Sequence, residues 1–130
     1  MGPTSPRAVV LDAGSLVAFE RNDRRVRRLI ELAVEHGRQL HVPAGVVGQV
    51  WRDGARQVRL ARLLRSTAVS VHALDSDEAR AAGVLCGLSG TSDVIDASVA
   101  LLARRQGAVV VTSDVSDLNR LDPRLTLIRC

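Results

Sequence analysis

Lysine and tyrosine are missing from this sequence, aromatic residues are nearly so, and cysteine is scarce. All 18 basic residues are arginine. Without lysine there can be no P-loop nucleotide hydrolysis, whose lysine holds the β- and γ-phosphates, and no Schiff-base chemistry. Phe19 and Trp51 are the whole aromatic complement. Recognition of single-stranded bases by ring stacking, as on an RRM or OB platform, is therefore disfavoured. Cys86 and Cys130 form neither a disulfide pattern nor a metal-ligand spacing, which fits a reducing cytoplasm. No apolar run approaches the roughly 18–20 residues of a membrane span, so no membrane partner is expected. Residues 1–6 carry no apolar signal segment and read as a disordered leader, leaving residues 7–130 as one domain.

What is present is an ordinary apolar fraction of 46% in 130 residues and a net charge of +4. A chain of this size buries roughly 65–70% of its unfolded surface, enough for a core without staples. The basic balance suits a polyanion, since arginine takes phosphates bidentately. Ten arginines fall between Arg24 and Arg65 against three acids. Arg52, Arg56, Arg59 and Arg62 recur at steps of four, three and three, a stripe that could follow an RNA backbone. A solvated face or a dock for an acidic partner segment explains the same stripe.

Short β-branched runs alternate with helical spacing. Val9-Val10-Leu11 ends at Asp12-Ala13-Gly14, a buried strand entering a turn. The spacing predicts a helix from about residue 15 to 36, with Val26, Leu29, Ile30 and Ala33 on one face. Leu40 to Val42 predicts a second strand, and a helical region then runs to about Ser66 with a break at Gly54. Strands are also expected over 68–74, 108–112 and 125–128, and helices over 77–89 and 93–106. The alternation predicts an α/β fold with a mostly parallel sheet covered by helices on both faces.

In such sheets, sites form beyond the carboxyl ends of strands. Asp12 follows the first strand, and Asp114 follows Val109-Val110-Val111-Thr112 by one further residue. Asp117 lies one turn on, and Asp96 and Asp93 open the helix leading into that strand. If the first and fourth strands are neighbours, these acids converge. Two carboxylates about 4 Å apart repel by roughly 4 kcal/mol at an effective dielectric near 20, so a cluster calls for a cation. Oxygen ligands without His or Cys select Mg²⁺ or Mn²⁺. Each acid also has a plainer role: Asp12 as a turn residue, Asp93 and Asp114 as helix N-caps, Asp117 facing a helix dipole. Asp96, among Val94, Ile95, Ala97 and Val99, is harder to dismiss. Thr112 or Ser15 could supply a supporting hydroxyl. His36, His41 and His72 show no metal spacing.

Three segments carry a resemblance. Val9 to Ala18 (VVLDAGSLVA) resembles the opening motif of PIN-domain nucleases. Asp93 to Ala100 (DVIDASVA) resembles their central acidic helix, and Val110 to Leu118 (VVTSDVSDL) their closing motif. The match spans almost the whole chain, and its length is similar to VapC-type toxins. The resemblance implies a five-stranded parallel sheet, a homodimer, an antitoxin partner, Mg²⁺ or Mn²⁺ held by Asp12, Asp96, Asp114 and Asp117, and cleavage of structured RNA. The chain departs from the family at Gln49, where a glutamate is usual. Gln49 can coordinate through its carbonyl or bond a metal-bound water, but it brings no charge, so weaker ion binding or a non-cutting binding module follows from it. Asp53, one turn later, is a weaker substitute. A haloacid-dehalogenase-like phosphatase also begins with an Asp after its first strand. It needs a second Asp where this chain has Gly14, and a phospho-receiver needs a lysine; both are set aside.

Overall fold

A computed structural model describes residues 7–130, so the expected leader lies outside the described residues. Twelve elements follow in order: β1 (Val9–Leu11), α1 (Ala13–Glu20), α2 (Arg24–Glu35), β2 (Leu40–Pro43), α3 (Ala44–Val50), α4 (Val58–Arg65), β3 (Val69–His72), α5 (Ser76–Ser89), α6 (Val94–Gln106), β4 (Val109–Thr112), α7 (Val115–Leu121) and β5 (Leu127–Arg129). The strands form one sheet in the order β3-β2-β1-β4-β5, and every pairing is parallel.

That order decides where the site can be. The chain winds from β1 outward to β2 and β3, then crosses back to place β4 on the other side of β1. Right-handed crossovers put α1–α4 on one face and α5–α7 on the other. The winding reverses between β1 and β4, so a crevice opens beyond the carboxyl ends of those two strands.

The central strands are apolar because both faces are covered. Val9, Val10 and Leu11 are buried, as are Val109, Val110 and Val111, and they pair residue for residue. On the first face, α2 lays Val26, Ile30 and Ala33 toward the sheet. On the second, α6 packs on β1 and β2 with Ala97, Val99, Ala100, Leu102 and Ala103 buried. Fully burying a side chain such as Leu102 contributes about 1.5–3 kcal/mol.

Two predicted helices are each two. The expected helix over 15–36 breaks at Arg21–Asp23, where Asn22 takes a left-handed φ of 62°. Asp23 then starts α2 by accepting the Val26 N–H at 2.9 Å. The helical region before Ser66 breaks more widely than at Gly54 alone, from Trp51 to Gln57. Buried Gln57 organises this connector: its Oε1 accepts the N–H groups of Arg52 and Asp53, and its Nε2 donates to Glu20 and to the Val50 carbonyl. Among the described residues, no single helix is long and apolar enough to cross a membrane.

Candidate active site

Asp12 stands at the end of β1 and caps α1. Its Oδ1 accepts the Ser15 N–H at 3.0 Å, and the Ser15 hydroxyl donates to the Asp12 carbonyl at 2.9 Å. The plain capping role is thus real, yet a cap is normally solvated and this carboxylate is buried. Burial pushes its pKa up, Asp114 adds to the rise, and hydrogen bonds from Thr112 and Ser15 offset part of it.

Asp114 comes from the neighbouring strand. The Thr112 hydroxyl accepts the Asp114 N–H at 2.8 Å, which turns the chain sharply at the end of β4. Asp114 sits at the N-cap of α7, but its side chain makes no capping bond, so capping does not explain that carboxylate. Asp117 occupies the first turn of α7.

Asp96 joins from α6. It lies in the first turn, partly buried, and its backbone N–H donates to Asp93 Oδ1 at 2.9 Å. Asp93 is therefore the N-cap the sequence suggested. Burial and the negative charges of Asp93, Asp114, Asp117 and Asp12, in that order, push the Asp96 carboxyl up to about 7. One group felt by four other carboxylates is a field that favours a cation or a retained proton.

Two glycines let the elements come this close. A β-carbon on Gly14 would stand 2.8 Å from the Ser113 β-carbon, inside contact distance, so glycine lets the start of α1 meet the β4–α7 turn. A β-carbon on Gly45 would collide with Ile95, the neighbour of Asp96, so glycine lets α3 approach α6. The sequence motifs did not give these approaches.

The donors are all oxygen, which suits Mg²⁺ or Mn²⁺. Among the described residues, no three carboxylate, imidazole or thiolate groups are placed to hold an ion directly. The chemistry of the donor set fits such a cation, whereas a closed cage is not preformed.

The remaining candidates stand apart. Gln49 is exposed on α3. Asp53 accepts the Ala55 N–H at 3.0 Å and pairs with Arg56 at 3.7 Å, the solvated role expected of it. The arginine stripe is not one helical face: Arg52 and Arg56 lie in the Gln57-centred connector, and only Arg59 and Arg62 are on α4. Arg52 folds back to donate to the Gly48 and Trp51 carbonyls. His41 and His72, far apart in sequence and with no metal spacing, nevertheless meet across β2 and β3.

No protein-family model matches the sequence, and no curated protein does. Solved structures do match in shape. VapBC2 from Rickettsia felis, bound to a promoter DNA fragment, superposes with a TM-score of 0.69 at 17% identity over 95% of this chain and 98% of that one. DNA-bound VapBC from Salmonella typhimurium gives 0.67 at 18% identity, over 95% and 98%. VapC20 from Mycobacterium tuberculosis, a toxin that cleaves the sarcin-ricin loop, gives 0.64 at 19% identity, over 85% and 94%. With the strand order and the acidic crevice, these likenesses establish that the chain has the VapC-type PIN-domain fold.

Proposed function

We propose that this protein is a metal-dependent endoribonuclease, the toxin member of a toxin–antitoxin pair. The observation that carries the reading is the negative field at the β1–β4 crevice, where four other carboxylates act on Asp96. Asp12, Asp96, Asp114 and Asp117 are the residues that would hold Mg²⁺ or Mn²⁺. Such an ion supplies activation of water and stabilisation of charge in the phosphodiester transition state. The chain's own contribution is positional. Ser15 and Thr112 fix the Asp12 carboxylate, and the α6 start carries Asp96 into the same negative field. Arg52, Arg56 and Arg59 are offered as contacts to the RNA backbone, consistent with their exposure.

The antitoxin's seat in this proposal is the groove between α2 and α4. Phe19, Ile30 and Leu63 line an apolar groove there, with Arg59 and Arg62 on its α4 side and Arg27, Glu31 and Glu35 on its α2 side. An amphipathic acidic segment fits that chemistry. The neighbours are DNA-bound VapBC assemblies, which supports a partner protein, and a homodimer is part of the same proposal.

A second reading is a PIN-fold module that binds RNA or protein without cutting. Neutral, exposed Gln49 and the lack of a preformed three-ligand cage among the described residues favour it. The deciding experiment is cleavage of transfer and total RNA by purified protein with Mg²⁺, Mn²⁺ or EDTA, beside Asp96→Asn. Discrete metal-dependent products that the variant loses support the nuclease. Folded, inhibitor-free protein that cuts nothing supports the module.

A further inference from the structure

The acidic crevice leaves His41 and His72 without a role. His41 is buried in β2, and its register partner on β3 is Ser70. His72 lies two residues beyond Ser70, so the two imidazoles share a face of the sheet. They meet with His41 Nδ1 and His72 Nε2 2.7 Å apart, ring centroids 4.9 Å apart and planes tilted by 47°. At that separation one ring nitrogen donates and the other accepts, so the two rings share one proton on the line between them. Burial first, and then His72, lower the His41 pKa, which favours the uncharged ring that a metal requires.

We propose that His41 and His72 form a two-imidazole site for a borderline divalent cation such as Zn²⁺, separate from the carboxylate crevice. Imidazole nitrogen is the donor that Zn²⁺, Ni²⁺ and Cu²⁺ prefer over carboxylate, whereas Mg²⁺ and Mn²⁺ prefer oxygen. Two nitrogens at about 2.0–2.1 Å from a tetrahedral Zn²⁺ stand roughly 3.3 Å from each other. The pair must therefore open by about 0.6 Å and turn off the line between the nitrogens so that both lone pairs aim at the ion, with the facing proton moving to the other nitrogen of its ring. His72 can make that movement: it is only partly buried and ends a strand at the edge of the sheet. Among the described residues no third carboxylate, thiolate or imidazole completes the set, so water fills the remaining positions. Occupancy would pin the edge strand β3 to β2.

The test uses the whole chain carrying Asp96→Asn, which weakens ion binding at the crevice. Calorimetric titration with Zn²⁺ at pH 7.5 is compared with the same protein carrying His72→Ala in addition. His72→Gln, which keeps a polar side chain at the sheet edge, guards against a folding defect. The expected result is one Zn²⁺ per chain, with affinity at least tenfold weaker in both His72 variants. Bound Cu²⁺ should show two nitrogen donors by electron paramagnetic resonance, reduced when His72 is replaced. Equal Zn²⁺ affinity and an unchanged Cu²⁺ spectrum in the folded His72 variants would overturn the site and leave a hydrogen-bonded pair only. Neither outcome depends on whether the protein cuts RNA.

Discussion

Gly14 and Ser113 touch where β1 and β4 end, so closely that a β-carbon on Gly14 would stand 2.8 Å from that of Ser113. The contact sets the distance between the turns that carry Asp12 and Asp114. Gly14→Ala should force them apart, destabilising the protein by about 1–3 kcal/mol as overpacking does. Urea denaturation measures the loss. Adding Ser113→Gly should restore most of it, and a double variant no better than Gly14→Ala would refute the steric account.

Asp96 makes stability depend on pH in a defined direction. Its folded pKa is near 7, against an ordinary 3.8, so the folded state holds a proton that the unfolded state has released between those values. Stability from this group is therefore full below about pH 4 and falls as pH rises through 7. Asp96→Asn removes the penalty. In EDTA at pH 8 the variant should melt higher than the parent, by a few degrees, because the side chain is partly solvated and the repulsion partly screened. Mn²⁺ should raise the melting temperature of the parent and scarcely move the variant. A variant that melts lower in EDTA would contradict the electrostatic reading.

Gln49→Glu tests the departure at α3. If Gln49 faces the ion as the family resemblance implies, the added charge should tighten Mn²⁺ binding roughly tenfold and raise cleavage at limiting metal, about 1.4 kcal/mol. Unchanged Mn²⁺ affinity by calorimetry would place residue 49 outside the ion's reach.

Asp122 should matter for stability and not for chemistry. It is buried at the end of α7, accepts from Arg104 at 3.0 and 3.1 Å, and takes the Arg124 N–H at 3.0 Å. Burial alone would raise its pKa, but the Arg124 N–H and the Arg104 guanidinium outweigh that and lower it. The stabilisation is therefore complete above the ordinary value of 3.8 and is lost as pH falls below it. Asp122→Ala should cost about 1.5–3 kcal/mol at pH 7, the range for a bond to a charged group. RNA cleavage by the folded fraction should be unchanged.

The strands and the acids at their ends were legible because parallel strands covered on both faces leave continuous apolar runs, and Asp12 and Asp114 interrupt two of them. The break between α1 and α2 was marked only locally, by the all-polar run 20–25 and by Asn22, a residue tolerant of left-handed φ, beside the capping Asp23; the apolar spacing of Val26, Leu29, Ile30 and Ala33 does not locate a helix start. The arginine stripe misled because Gln57 bends the chain between Trp51 and α4, a buried polar hub with no sequence periodicity. His41 and His72 were invisible as a pair because their meeting depends on strand register, which follows from the sheet order and not from spacing along the chain. Asp96 was recognised from its apolar neighbours, but its raised pKa needed the three-dimensional gathering of the other acids.

The central pairing joins Val9 to Val109, one near the start of the described chain and the other well past its middle. A ribosome making this protein releases the Asp12 turn about a hundred residues before the Asp114 turn. Every shorter nascent chain lacks half of the crevice. The negative field on Asp96 therefore cannot be complete until β4 and the turn carrying Asp114 have been made and paired with β1.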